Sequence, residues 1–109
     1  MFIRFVLKNI IKVDFNPTLG REQAGYRPAL VISNEKFNEK TGMLIILHIT
    51  NTDNGFPLHV SLEEKALTKG FVFIEHIKSI DAKAIKIKFV EATSKNFIEK
   101  IDRYISAVL

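Results

Sequence analysis

Short apolar runs and alternating segments predict a mainly β protein with one amphipathic helix at its end. The cleanest alternation is at 84–89, where Ile and Phe residues alternate with lysines, as in a half-buried strand. Continuous apolar runs elsewhere are typical of strands buried on both faces. The other predicted strands, all short, are 9–15, 29–32, 43–49, 56–62 and 71–74.

The C-terminal segment changes to helical spacing. Its apolar residues behind a Ser94 cap are Phe97, Ile101, Tyr104, Ile105 and Val108. We expect an amphipathic helix that packs on the strands. Shorter helical pieces are predicted at 34–38 with Ser33 as cap, at 61–65, and at 75–80 as a turn or single helical turn. Many short strands with one long helix favour a small, strongly curved β-barrel over a βαβ architecture.

Length and composition indicate a single domain, residues 1–109, because domains commonly contain about 100 to 150 residues. Charged residues interrupt the first 15 positions and no apolar run is long enough to cross a bilayer, so we expect a soluble, cytoplasmic protein. Cysteine is absent and His48, His59 and His76 are widely spaced. We therefore expect no disulfide, no metal and no cofactor.

The net charge of +4, with a pI near 9.4, indicates a modest attraction for polyanions or acidic proteins. Surface lysines in an Ile- and Lys-rich composition explain this charge equally well. Charge alone therefore does not separate nucleic-acid binding from an ordinary basic surface.

The polar segment after the first strand carries the most particular motif. It contains Val13-Asp14-Phe15-Asn16-Pro17-Thr18, Gly20 and Glu22-Gln23-Ala24-Gly25, and it ends in Arg27-Pro28-Ala29. This run closely resembles the MazF/PemK (Kid-like) family of toxin endoribonucleases. Further matching positions, in the same order and spacing over nearly the whole chain, are Ser33, Asn38, Lys40-Thr41-Gly42-Met43, Ile49-Thr50, Gly55-Phe56-Pro57 and Ile77-Lys78-Ser79-Ile80-Asp81.

The resemblance implies an SH3-like barrel that forms a homodimer and binds RNA in grooves at the dimer surface. Family members cut single-stranded RNA, including mRNA, at short sequence motifs without a metal. The ribose 2′-hydroxyl attacks the adjacent phosphate and leaves a cyclic phosphate and a 5′-hydroxyl. A cognate antitoxin with an acidic, extended tail covers the RNA groove.

The resemblance also assigns catalytic residues. Arg27 matches the family's catalytic arginine, and a fixed guanidinium is suited to the charge that builds on phosphate oxygens. From position alone, a surface ion pair is the commoner role for such an arginine. Thr50 matches the catalytic threonine, although threonine is also an ordinary residue at a strand end. Because arginine stays protonated, we expect Arg27 to act electrostatically, or as an acid toward the leaving oxygen.

Glu22 is the better candidate for taking a proton or for orienting Arg27, and its alternative role is that of a solvated loop carboxylate. His48 precedes Ile49-Thr50 near where the family commonly has Pro, and it is either an acid/base group at the site or a structural histidine. The predicted RNA contacts, implied by the resemblance, are Asn16, Thr18, Arg21, Gln23, Tyr26, Asn51, Phe56 and Lys78.

The first strand departs from the family pattern. It carries Lys8, Asn9 and Lys12, where the family commonly has Gly-Asp and an aromatic residue. Two alternatives to a nuclease therefore stay open: a barrel of the same fold that binds RNA or antitoxin with weakened catalysis, and an SH3-like module that binds peptides.

Overall fold

The computed structural model describes residues 7–14, 26–51 and 58–109, which form six strands and two helices. In chain order these elements are β1 Asn9–Asp14, β2 Tyr26–Val31, α1 Glu35–Thr41, β3 Met43–Thr50, β4 His59–Ser61, β5 Phe71–Asp81, β6 Ile87–Ala92 and α2 Lys95–Val108.

One antiparallel sheet contains all of these strands, in the order β4-β5-β3-β2-β1-β6. The predicted mainly β class with a C-terminal helix is confirmed. Within the described residues the sheet is open, because β4 pairs only with β5 and β6 only with β1. The sequence predicted a small, strongly curved β-barrel, and in this part of the chain its sheet is not closed.

The sheet is buried on both faces. Ala29, Leu30 and Val31 of β2 are all fully buried, as expected for a continuous apolar run. Leu30 belongs to a cluster that contains Phe97 and Ile101 of α2. Its two neighbours belong to a second cluster on the other face, because successive side chains of a strand point in opposite directions. Burial on both faces accounts for the continuous apolar run of this strand.

Helix α2 begins as predicted. Ser94 is its N-cap and accepts a hydrogen bond from the backbone N–H of Phe97, and the Glu63 carboxylate accepts hydrogen bonds from the Ser94 backbone and hydroxyl. Phe97 and Ile101 are buried, whereas Val108 is about half exposed. No helix in the described segments is both long and apolar enough to cross a bilayer.

The prediction for α1 was wrong in its cap and its length. Asn34, one residue after Ser33, is the N-cap and accepts from the Phe37 amide. The Ser33 hydroxyl instead donates to the Asn38 side chain at 2.5 Å and accepts from the Ile45 amide of β3 at 3.0 Å. This tertiary hydrogen bonding takes Ser33 away from the cap, and the helix runs on to Thr41.

Two other predicted helical pieces are not helical. Residues 61–65 contain the end of β4 and a turn. The Glu63 carboxylate in this segment accepts a hydrogen bond from the Ser94 hydroxyl at the N-cap of α2. Residues 75–80 are part of β5, where Ile77 to Ile80 pair with β3. Their exposed side chains lack the apolar alternation by which a strand is recognised. Strand β6 also begins later than predicted, because a turn occupies 82–84.

Candidate active site

The ends of β2 and β3 bring two predicted catalytic residues to adjacent strands. Ala29 pairs with His48 and Leu30 with Leu47. The same antiparallel register, continued to the strand ends, sets Arg27 opposite Thr50. Directly opposed residues in such a ladder share a face of the sheet, with Cα atoms about 4.5 to 5.5 Å apart. Arg27 is exposed and Thr50 is half-buried. By this register, the two residues lie at the same end of the two strands.

His48 lies on the same face as this pair. It precedes Thr50 by two residues on β3, and its partner Ala29 follows Arg27 by two residues on β2. Alternation along a strand places such residues on one face. Lys78 pairs with Ile46 and adds an exposed ammonium group to this face from β5. The predicted site therefore includes a histidine that the sequence left with two interpretations.

A large bulge in β5 lies beside His48. Leu47 pairs with Ile77, whereas Ile49 pairs with Val72, so His48 alone faces residues 73–76 of the other strand. Bulges bend a strand and redirect its side chains, and they are common near active sites. Here the bulge brings His76 against His48, with ring centroids 6.1 Å apart and ring planes at 86°.

Two more ring contacts and one ion pair connect the residues of this bulge. The Phe73 ring lies 5.4 Å from that of His76, and it stacks on His59 at 3.5 Å with the planes 4° apart. Nε2 of His59 lies 2.7 Å from Oε2 of Glu75. His59, Phe73, His76 and His48 thus form a continuous row of rings, which we call the ring row.

The electrostatic field on this face is positive. Burial lowers the pKa of His48, and the nearby charges of His76, Lys78 and Arg27 lower it further. Burial raises the pKa of Glu75, but the hydrogen bond from His59, a backbone hydrogen bond and the charges of His59 and His76 together outweigh it, and the net change is downward. His48 is therefore held in its neutral form near pH 7, among cationic groups suited to a phosphate.

Gly70 supports the carbonyl of Thr50. Its φ is +126°, and a Cβ atom there would lie 2.6 Å from the Thr50 carbonyl oxygen and 3.2 Å from Oδ1 of Asn51. The first distance is too short for a real side chain, and the second is tight. The close approach to the Thr50 carbonyl therefore favours glycine. Thr50 also pairs with Phe71. The end of β3 is thus fixed from β5 before any ligand binds.

Tyr26 does not join this group. It alternates with Arg27 and so lies on the other face of β2, where Nζ of Lys88 is 4.2 Å from the centre of its ring. Asn51 follows Thr50 and is exposed at the end of β3. The remaining predicted site residues, which all lie outside the described part of the chain, are Asn16, Thr18, Arg21, Glu22, Gln23 and Phe56.

Sequence reasoning missed the ring row. One available signal was strand alternation. His48 and Thr50 are two residues apart at the end of a predicted strand, so their side chains share a face of the sheet. His59, Phe73 and His76 join the ring row only because of the bulge in β5, and no local sequence pattern predicts that bulge. Within residues 7–14, 26–51 and 58–109, no cluster of three or more His, Asp or Glu side chains is arranged to hold a metal ion.

Residues 8–109 match the family described as PemK-like, MazF-like toxin of type II toxin-antitoxin system. The chain is 40% identical over 82 residues to "Endoribonuclease toxin MazF" of Escherichia coli (strain K12), covering 73% of each. It is 31% identical over 96 residues to "Endoribonuclease MazF" of Staphylococcus epidermidis, covering 84% of this chain and 80% of that one.

Solved structures share this fold at low sequence identity. A MazE-MazF crystal structure from Deinococcus radiodurans superimposes with a TM-score of 0.83 at 20% identity, covering 98% of this chain and 96% of that one. An endoribonuclease in complex with its cognate antitoxin, from Mycobacterial species, gives a TM-score of 0.77 at 18% identity, covering 95% and 93% of the two chains. These likenesses concern the fold.

Proposed function

Because this chain belongs to the PemK-like, MazF-like family of toxins of type II toxin-antitoxin systems, we propose that it is an endoribonuclease that cleaves single-stranded RNA. The observation that supports the proposal is the pairing of Ala29 with His48, together with the charges of Arg27 and Lys78 that act on His48. The same register, continued to the strand ends, puts Arg27 opposite Thr50. The proposed reaction needs no metal and is specific for a short RNA sequence.

The reaction we propose is attack by the ribose 2′-hydroxyl on the adjacent phosphorus. The P–O5′ bond breaks, and the products are a cyclic phosphate and a 5′-hydroxyl. Negative charge grows on the non-bridging oxygens as the attacking oxygen adds. Arg27, always protonated, stabilises this charge through charge-assisted hydrogen bonds that strengthen as the charge develops.

The Thr50 hydroxyl acts as a second donor to the same phosphate. Its backbone is held by pairing with Phe71 and by the close approach of Gly70, so little motion is needed when substrate arrives. Such fixed donors are effective because they are oriented before the reaction begins. Lys78, exposed on the same face, attracts a neighbouring phosphate and makes binding depend on salt.

The residues between β1 and β2 complete the proposal. Glu22 is assigned to proton transfer or to the orientation of Arg27. The proposed base and sugar contacts in the connecting segments are Asn16, Thr18, Arg21, Gln23, Tyr26, Asn51 and Phe56. Among these, Tyr26 is proposed to act from the opposite face of β2 together with Lys88.

We further propose that the protein forms a homodimer and is neutralised by an acidic antitoxin. One structural neighbour is an endoribonuclease in complex with its cognate antitoxin, and another is a MazE-MazF structure. Both support a partner of this kind. The net charge of +4 favours an acidic chain over a basic one. With mRNA as substrate, the site of action is the cytoplasm.

Incubation of the purified protein with a long single-stranded RNA in EDTA tests the function. We expect discrete fragments with cyclic-phosphate ends, and we expect Arg27→Ala to abolish them while the melting temperature stays close to that of the parent. Arg103→Ala, which removes an exposed arginine of α2, is the matched control and retains cleavage. A large loss of stability in Arg27→Ala with parental turnover would assign Arg27 to the scaffold.

A binding protein of the same fold with weakened catalysis is the second candidate. The lysines of the first strand favour it, because Lys8 and Lys12 add phosphate attraction without adding a catalytic group. The same incubation separates the two functions: RNA that is retained but stays intact supports the binding protein.

A further inference from the structure

We propose, as an extension that rests on the function proposed above, that His48 is the catalytic base that takes the proton from the attacking 2′-hydroxyl. The cleavage site needs such a group, because neither the Arg27 guanidinium nor the Thr50 hydroxyl accepts a proton readily near neutral pH. His48 lies beside both of them.

The position of His48 satisfies the geometric requirement. It lies on the same face as Thr50, about 7 Å away along β3 at the usual rise of an extended strand. Its cross-strand partner Ala29 is two residues from Arg27. A phosphodiester that contacts Arg27 and Thr50 thus brings the ribose of one flanking nucleotide within reach of the imidazole, which is half-buried.

The electrostatic surroundings keep this imidazole ready to accept a proton. Among the described residues, Arg27 of β2 and His76 and Lys78 of β5 act on it through their charges, and together with burial they lower the pKa of His48. A phosphate that binds between these cations offsets their effect. As the transition state gains negative charge, the imidazolium becomes more favourable, so the proton affinity rises when it is needed.

The other described candidates are less suitable. The Glu75 carboxylate is engaged by His59 at 2.7 Å, and the pKa of Glu75 is lowered, which makes it a poor base. His76 is exposed and meets His48 edge to face, so it acts as a positioning residue that fixes the ring of His48. The stacked pair His59 and Phe73 supports His76 in turn.

The proton and electron balance is complete with water. The imidazole lone pair takes the 2′-hydroxyl proton while the 2′-oxygen bonds to phosphorus and the P–O5′ bond breaks. The departing 5′-oxygen takes a proton from water, and the imidazolium returns its proton to the hydroxide left behind. No oxidant, reductant or metal takes part.

The test is the pH dependence of kcat/KM for RNA cleavage. In the parent, log kcat/KM rises with a slope of one through an apparent pKa below the ordinary imidazole value of 6.5 and then levels off. His48→Gln lowers kcat at pH 7 by about 10²- to 10⁴-fold and abolishes this acid limb. Its affinity for an RNA that lacks the attacking 2′-hydroxyl remains close to that of the parent.

His76→Gln and Lys78→Gln give an independent readout. Each removes a charge that lowers the pKa of His48, so each shifts the midpoint of the acid limb upward toward 6.5. Lys83 lies at an exposed turn and is not among the charges that lower the pKa of His48. Lys83→Gln therefore leaves the midpoint unchanged. These folded variants decide the question even if His48→Gln does not fold.

The proposal is overturned if His48→Gln keeps the parental rate and acid limb, or if His76→Gln and Lys78→Gln leave the midpoint where it was. Loss of the limb in Glu22→Gln alone would assign the proton to Glu22. Each of these results leaves the nuclease function standing. A parent protein that cuts no RNA rejects the nuclease function itself.

Discussion

Replacement of Gly70 by alanine tests whether the end of β3 is held by contact with β5. At φ +126°, the new Cβ would meet the Thr50 carbonyl oxygen at 2.6 Å and the carbonyl carbon at 3.0 Å. Both are backbone atoms and cannot rotate away. Thr50 must therefore move with its strand, or β5 must retreat from it.

Two costs contribute to the expected loss of stability. A non-glycine residue at this φ costs about 1 to 3 kcal/mol, and insertion of a methyl group into a filled space costs about 1 to 3 kcal/mol more. We expect the free energy of unfolding to fall by about 2 to 6 kcal/mol, with a decrease in Tm of at least roughly 10 °C.

Gly42→Ala is the matched control. Gly42 also has a positive φ, +73°, as the C-cap of α1, but a Cβ there meets only Cε of Lys83, at 3.6 Å. Only backbone strain of about 1 to 2 kcal/mol is expected. Denaturant unfolding measures the loss of stability in each variant. RNA cleavage, assayed well below the Tm, reports the displacement of Thr50. We expect Gly70→Ala to lose cleavage activity and Gly42→Ala to keep it. Equal losses of stability, or parental cleavage by Gly70→Ala, would refute the reasoning.

Two further predictions concern stability away from the site. Ser33→Ala removes the hydroxyl that donates to Oδ1 of the buried Asn38 and accepts from the Ile45 amide of β3. This loss should cost about 2 to 4 kcal/mol by denaturant midpoint, whereas the exposed Ser106→Ala stays within about 0.5 kcal/mol. Hydrogen bonds from Ser94, the cap residue of α2, lower the pKa of Glu63 in the folded protein. As pH falls, Glu63 is therefore protonated in the unfolded chain before it is protonated in the folded one. The stability that its carboxylate contributes is lost as pH falls below about 4.5. Glu63→Gln should flatten the acid side of a Tm-versus-pH curve and the exposed Glu64→Gln should not; identical curves would contradict the assignment.

Most of the sheet and the C-terminal helix follow from local pattern. Ala29 to Val31 and the Ser94 cap were identifiable because burial on both faces and N-capping leave direct marks in the sequence. The second half of β5 was not, since its exposed side chains carry no alternation and only pairing with β3 makes it a strand. Ser33 was misread as a cap for a similar reason, because its partners come from tertiary contacts.

The candidate site divides in the same way. Arg27 and Thr50 were singled out because a family motif covers them, and their adjacency then depends on the register of β2 and β3. The place of His48 among cations depends on His76 and Lys78 across a bulge. Spacing along a single strand contains no information about such cross-strand neighbours.

The open sheet described above has a consequence for how this protein behaves at high concentration. In the described part of the chain, β6 offers one row of peptide groups to any strand that approaches it, next to the exposed ring of Phe89. Lys88 on this strand and Lys86 just before it place positive charge there, and lysine on an edge opposes the addition of another copy. The basic surface that we propose attracts RNA thus also opposes ordered aggregation, and a polyanion that neutralises those lysines weakens that protection.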